Sequence, residues 1–283
     1  VAELVEATAI AIECVFLQLS FSTVARYFLF LAYEGTRYQG WQVQPHTTDT
    51  VQAVLNAKLS MLLREPVEVT GCGRTDTGVH ASAFYAHFDT SHTELPESPE
   101  RFVYHLNAVL PADIAVYAAQ HVNDTAHARF DATYREYEYH ITRTKNPFAG
   151  TQAWLLRDEL DVEHMNACAQ LFLQQTDFGA FCKSGGNAKT TLCTVSRAHW
   201  QSHNHKLVFT IGANRFLRNM VRAAVGTLLD AGRGKLTVAD VQRILQSGNR
   251  SEAGQSVPAR GLFLTGVHYP AHLNLQPDML NRP

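Results

Sequence analysis

The chain has 283 residues, 46% hydrophobic and 18% charged, with a net charge of −2. That balance fits a folded protein of two domains and excludes extended disorder or a chain-wide basic character, so any nucleic-acid partner must be met by a local patch. Five cysteines without a C-x-x-C pair (Cys14, Cys72, Cys168, Cys182 and Cys193) fit a reducing, cytoplasmic setting, and no run of 18 uninterrupted apolar residues offers a membrane span.

Residues 1–24 are read as an extension outside the main fold; Ala7 to Leu19 is apolar, but Glu3, Glu6 and Glu13 oppose a signal peptide. Arg26 to Tyr33 predicts a buried aromatic strand. Asp49 or Thr50 can cap a helix with Val51, Val54, Leu55, Leu59 and Leu62 at helical spacing. A short strand at Val67 to Thr70 leads into a Gly-rich loop, and Ser82 to Asp89 alternates as a strand does. Ser98 and Pro99 open a helix to Val109, and a strand follows from Asp113 to Ala119. This order is β-α-β-β-α-β.

The order recurs downstream. A strand at Thr133 to Thr142 precedes a helix from Asp161 to Gln174, then strands at Thr194 to Gln201 and Lys206 to Gly212 around a polar turn. A long helix is expected from Asn214 to about Ala231, a shorter one from Thr237 to Gln246, and a last strand from Leu262 to His268. The expected fold is therefore α+β: two tandem ferredoxin-like domains with mainly antiparallel sheets, at 25–122 and 123–270, then a tail at 271–283. Element order alone does not fix whether the two sheets join.

The most unusual stretch is Gly71-Cys72-Gly73-Arg74-Thr75-Asp76-Thr77-Gly78-Val79-His80-Ala81. As a plain turn it would use Asp76 in an Asx-type hydrogen bond with Arg74 in solvent. A dinucleotide fingerprint would need glycine at Asp76 and a helix afterwards, and a P-loop would need Lys-Ser/Thr after Gly78. Asp76-Thr77-Gly78 also spells the aspartic-protease triplet. That chemistry shares a proton between two carboxylates, and the chain has no second triplet. There remains an aspartate kept ionised beside Arg74 on a flexible loop, able to act as nucleophile or base, with an arginine able to hold a phosphate or a carboxylate.

The loop closely resembles the G-x-G-R-T-D-x-G-V-H-A signature of tRNA pseudouridine synthases of the TruA family. Further resemblances run in order: Tyr33-Glu34-Gly35-Thr36, Gly40-Trp41-Gln42, Leu110-Pro111-Ala112-Asp113-Ile114, His127-Ala128-Arg129-Phe130, Arg135-Glu136-Tyr137-Glu138-Tyr139, Met220-Val221-Arg222 and Pro258-Ala259-Arg260-Gly261-Leu262. The resemblance spans roughly residues 26–270, with Cys72 and Thr77 as small departures. It implies conversion of uridine to pseudouridine at positions 38 to 40 of the tRNA anticodon stem-loop. It also implies two similar domains, a homodimer, and no cofactor or metal. By the same resemblance Asp76 is the catalytic nucleophile, Tyr137 the aromatic residue that packs on the target base, and Arg74 and Arg222 are active-site arginines. The rival reading is a catalytically silent RNA-binding protein of the same fold.

Charge gives separate support for an RNA partner. From Phe178 to Leu229 no acidic residue occurs among 52 residues, against seven basic ones: Lys183, Lys189, Arg197, Lys206, Arg215, Arg218 and Arg222. In the expected helix Arg215, Arg218 and Arg222 would form one stripe, opposite Phe216, Met220, Ala224 and Leu228. A solvated face normally mixes signs, so the missing acids point to a polyanion. His199, His203 and His205 raise a metal reading, but His203-Asn204-His205 falls in a predicted hairpin turn with no cysteine or acid to complete four ligands. Tyr137 and Tyr139 share a strand face, and strand tyrosines usually pack in the core. The resemblance reverses that for Tyr137 and leaves Tyr139 open.

Overall fold

The computed structural model describes residues 24–183 and 189–275. The expected N-terminal extension, apart from Val24, and the tail beyond residue 275 lie outside the described residues. The first half begins with β1 (Ala25–Tyr33), an almost wholly buried strand. Next comes α1 (Val51–Leu63), started by the Thr50 hydroxyl accepting the Ala53 N–H at 3.3 Å. Strands β2 (Thr70–Gly71) and β3 (His80–Thr90) follow. Helix α2 (Pro99–Val109) has Ser98 as cap and proline at its start, as the sequence indicates, and β4 (Ile114–Val122) closes the half.

The second half runs through β5 (Tyr134–Thr142), the short β6 (Trp154–Leu155), α3 (Val162–Gln170), β7 (Val195–His203), β8 (Lys206–Ala213), α4 (Met220–Gly232), α5 (Val238–Ser247) and β9 (Leu262–His268). The Thr237–Asp240 capping box fixes the start of α5.

All these strands belong to one sheet with the principal order β4-β1-β3-β9-β5-β8-β7; β2 pairs with β3 and β6 with β5. The fold is α+β with a mixed sheet. The joint between the halves is the parallel pairing of His80 and Ala81 with Phe263 and Leu264. Strand β3 gives one edge to β1. On its other edge β2 takes Ala86 and His87 while β9 takes His80 and Ala81. The Gly-rich loop lies where β3 changes neighbour. Two hydrophobic cores result, and they interlock: Leu264 and Val267 of β9 pack in the first and Val79 in the second.

The short strand expected at Val67 to Thr70 lies instead at Thr70–Gly71, and one expected helix starts too early. Helix α4 begins at Met220, not Asn214, and residues 214–219 form a loop. Two side-chain bonds hold them off the helix: Asn214 Oδ1 accepts the Thr194 N–H at 2.8 Å, and Asn219 Nδ2 donates to Ser256 Oγ. Asn219 also adopts φ +64°, which asparagine tolerates and a continuing helix does not. Arg215 and Arg218 are therefore not on a helical stripe with Arg222. The turn predicted at Ser202 to His205 is present, with Asn204 at φ +52° between β7 and β8.

Buried histidines tie β3 to its surroundings. His80 Nδ1 accepts the Gly35 N–H at 3.0 Å, so its Nε2–H donates to the Arg260 carbonyl at 3.1 Å. His87 Nδ1 accepts the Ala128 N–H at 3.0 Å. Burial, then the Arg26 and His127 charges, hold His87 down at about 4. A histidine held neutral in the fold contributes fully above the unfolded value of about 6.5, and that contribution is lost as pH falls towards 4. Urea unfolding should therefore show stability falling across that window, by up to about 3 kcal/mol from His87 alone. His87→Asn, whose Oδ1 can still accept from Ala128, should remove about one proton from the slope. An unchanged slope would show that His87 does not titrate on unfolding.

Candidate active site at the seam of the two halves

The loop from Gly71 to His80 is bolted down rather than flexible. The Thr75 hydroxyl bonds Tyr33 Oη at 2.9 Å, and the Thr75 carbonyl accepts the Trp41 N–H at 3.2 Å. Gly78 donates to the Tyr38 carbonyl at 3.2 Å, and Val79 N–H closes a turn on the Asp76 carbonyl at 3.1 Å. Glycine serves that geometry: Gly78 has φ +77°, and a Cβ on Gly71 would lie 2.6 Å from the Trp41 ring.

The turn presents Asp76 with its side chain one-third exposed, 33%, and Oδ2 at 3.6 Å from Arg222 Nη1. Arg222, in the first turn of α4, is aimed by its own Nε donating to the Val257 carbonyl at 2.7 Å. The ion-pair partner of Asp76 is thus a residue of the other half. Arg74, the partner expected from its position in sequence, is exposed and makes no ion pair among the described residues. A second carboxylate, which protease chemistry requires, does not take the place of Arg222.

Tyr137 stands on β5 just after a bulge, between Ile211 of β8 and Leu264 of β9. It is half-buried where the two cores meet, with the Phe216 ring edge-on at 5.0 Å and 88°. Burial raises its phenol well above the ordinary value, with Cys72 and Asp76 nearby acting in the same direction, so it stays neutral. Tyr139 is a core residue, fully buried with its hydroxyl donating to the Pro258 carbonyl at 2.8 Å.

Two arginines to which the sequence assigned no role complete the surroundings. Arg135 spends its guanidinium on four carbonyls: Nη1 on Ala132 at 2.6 Å and Asn214 at 3.1 Å, Nη2 on Cys72 at 2.9 Å and Arg129 at 2.6 Å. It clamps the Asp76 loop to the second half. Arg129 loses some of its basicity to burial and then to the like charges of Arg74, Arg135 and Arg215, so these four guanidiniums form one cationic group. Phe216 lies on no helix, contrary to the sequence pattern, and its contact with Tyr137 was not foreseen. Arg218 is exposed, and its carbonyl accepts the Lys183 N–H at 3.1 Å.

The acid-free segment is not a single patch. Arg197 pairs with Glu136 of β5 at 2.9 Å, and Lys206 sits at the far end of the β7–β8 hairpin, about 25 Å along the strands from Arg215. Among the described residues no three His, Cys, Asp or Glu side chains converge as a metal site.

A half-open carboxylate held by an arginine, a seated tyrosine and a ring of cations make a site for chemistry on a polyanion. The comparisons with known proteins agree. The family model of tRNA pseudouridine synthase matches residues 30–131 and 168–270. The chain is 46% identical over 252 residues to tRNA pseudouridine synthase A of Bacteroides fragilis, covering 89% of this chain and 99% of that protein. It is 47% identical to the protein of the same name from Bacteroides thetaiotaomicron, covering 87% and 91%. The one from Chlorobaculum tepidum is 38% identical, covering 84% and 96%. The chain belongs to the tRNA pseudouridine synthase family, RNA-modifying isomerases that convert uridine to pseudouridine.

Arg135→Lys keeps the charge and loses the fork, so one ammonium cannot serve the four carbonyls, two of them part-buried, that the guanidinium joins. It should lower the unfolding free energy by about 2–4 kcal/mol in urea titration. A change under about 0.5 kcal/mol would deny the clamp.

Proposed function

We propose that the protein isomerises uridine to pseudouridine at positions 38 to 40 of the tRNA anticodon stem-loop, with Asp76 as the nucleophile. The observation that carries this reading is the Asp76–Arg222 pair beside Tyr137, at the seam where the two halves meet. The reaction breaks the N1–C1′ bond, turns the base and rejoins it through C5, with no change of redox state or composition. It needs a carboxylate free to reach the sugar or base, and Asp76 is one-third exposed on a fixed turn.

The target uridine must leave its stack before that carboxylate can reach the glycosidic bond. Tyr137 supplies a flat support for the extruded base, and the edge-on Phe216 fixes its plane. Arg222 lies against the carboxylate, and Arg74, Arg129 and Arg215 receive phosphates, which position the RNA without reading its sequence.

On this reading the halves at 25–122 and 123–270 are tandem ferredoxin-like domains. The order β4-β1-β3-β2 in the first and β9-β5-β8-β7 in the second supports it: with the two-residue β6 set aside, each is the fourth, first, third and second strand of its half. The reading also takes the protein to act in the cytoplasm, which the sparse cysteine usage of the sequence favours, and as a homodimer, which the resemblance implies.

Asp76→Asn keeps the shape of the side chain and removes its charge. Turnover of an anticodon stem-loop RNA, followed by nucleoside mass spectrometry, should fall by at least about 10⁴-fold while RNA affinity stays within about three-fold of wild type. Residual activity near wild type would exclude Asp76 as nucleophile. A wild-type protein that binds the RNA and turns none over would establish the silent RNA-binding reading instead. Tyr137→Phe should retain most activity, whereas Tyr137→Ala should lose about 10-fold or more. Equal rates in the two would remove the stacking role.

A further inference from the structure

The turn from His127 to Phe130 has no part in the reaction described so far beyond the charge of Arg129, yet it is unusually well built. His127 Nδ1 accepts the N–H of Arg129 at 3.1 Å and of Phe130 at 3.2 Å. The His127 N–H donates to Asp131 Oδ2 at 2.7 Å, and the Asp131 N–H returns to the His127 carbonyl at 3.1 Å. The ring of His127 is braced from within by His87, with centroids 4.7 Å apart at 68°.

All this holds an aromatic side chain out in water. Phe130 is 73% exposed. Its ring rests on His127 at 4.2 Å and 34°, and the Arg129 guanidinium carbon lies 5.6 Å from its centroid. A large apolar side chain fixed in this way has given up both burial and freedom, which suits a contact surface.

We propose that Phe130, backed by His127, is a stacking platform for an unpaired base of the RNA beside the target uridine, with Arg129 and Arg74 taking the adjoining phosphates. The proposal rests on the function assigned above and extends its substrate site. The charge around the ring favours RNA over a protein partner. Arg129 feels the like charges of Arg74 and Arg215, Arg135 spends its donors on carbonyls, and Asp131 is engaged with the His127 N–H. A second copy docking here by a twofold axis would bring the same cations against themselves. A nucleic acid brings phosphates to the cations and a π-face to the ring.

The test uses full-length protein and an anticodon stem-loop RNA carrying 2-aminopurine at each loop position in turn. Wild type should quench the probe at a loop position next to the target. Phe130→Ala should lose that quench and bind about 10-fold more weakly. Phe130→Trp should keep both, and Phe130→Leu, apolar but not flat, should behave as the alanine variant does. The platform is overturned if Phe130→Ala binds and quenches as wild type, or if Phe130→Leu does. It is overturned equally if Phe130→Ala turns an oligomer into a monomer in sedimentation, since the ring would then belong to a protein interface. Wild-type protein that neither binds nor converts the RNA would overturn the functional assignment itself, a result separate from any loss confined to the variants.

Discussion

The parallel pairing of β3 with β9 is short, two residues from each strand, and the geometry of the site depends on it. Asp76 lies just before β3, Tyr137 is paired to β9, and Arg222 is tied to Val257 in the segment leading to β9. A shift of one residue at this joint would turn every side chain along it to the opposite face. His80 reinforces the joint from within, accepting from Gly35 of the first half and donating to Arg260 of the second. Only the neutral imidazole can do both, and burial favours that form. Stacking continues the reinforcement across the seam, with Phe263 between His80 and His140 at 4.5 and 4.7 Å.

Around that joint the molecule is organised for a highly charged ligand. Arg135 has its charge near the loop but its hydrogen bonds on backbone carbonyls, so it acts as a structural clamp that also contributes potential. Arg74 and Arg129 carry no balancing carboxylate among the described residues, and their mutual repulsion is a cost of the unliganded state. Such a cost is recovered when phosphates enter. Asp76 is the exception within this field. Its negative charge is held by one arginine from the opposite half, which keeps a polyanion-binding surface compatible with a carboxylate at its centre.

Much of the architecture was legible. Thr50, Ser98 and Pro99 mark helix starts because capping is local chemistry, and the alternation of Phe84, Ala86 and Phe88 marks β3 because strand period is local geometry. The α4 boundary failed for a complementary reason. Asn214 to Asn219 reads as helical in pattern, but its side chains bond Thr194 and Ser256, residues distant in sequence, and those bonds stop the helix short. The single helical stripe of Arg215, Arg218 and Arg222 fell with it. Arg135 stood in a matched motif and Phe216 on an expected apolar face, yet neither pattern told what they do, since the carbonyls and the ring that they meet are assembled from several segments.

The sequence by itself determined the elements, their repeated order and the aspartate on its glycine-rich turn, since each is written in contiguous residues. Tertiary structure alone decided that the two sheets become one and that Asp76 answers to Arg222 rather than Arg74. It alone placed Phe130 outward in a cationic field. Those outcomes depend on which edges pair and which side chains then face one another, and such relations between distant segments leave no local pattern to read.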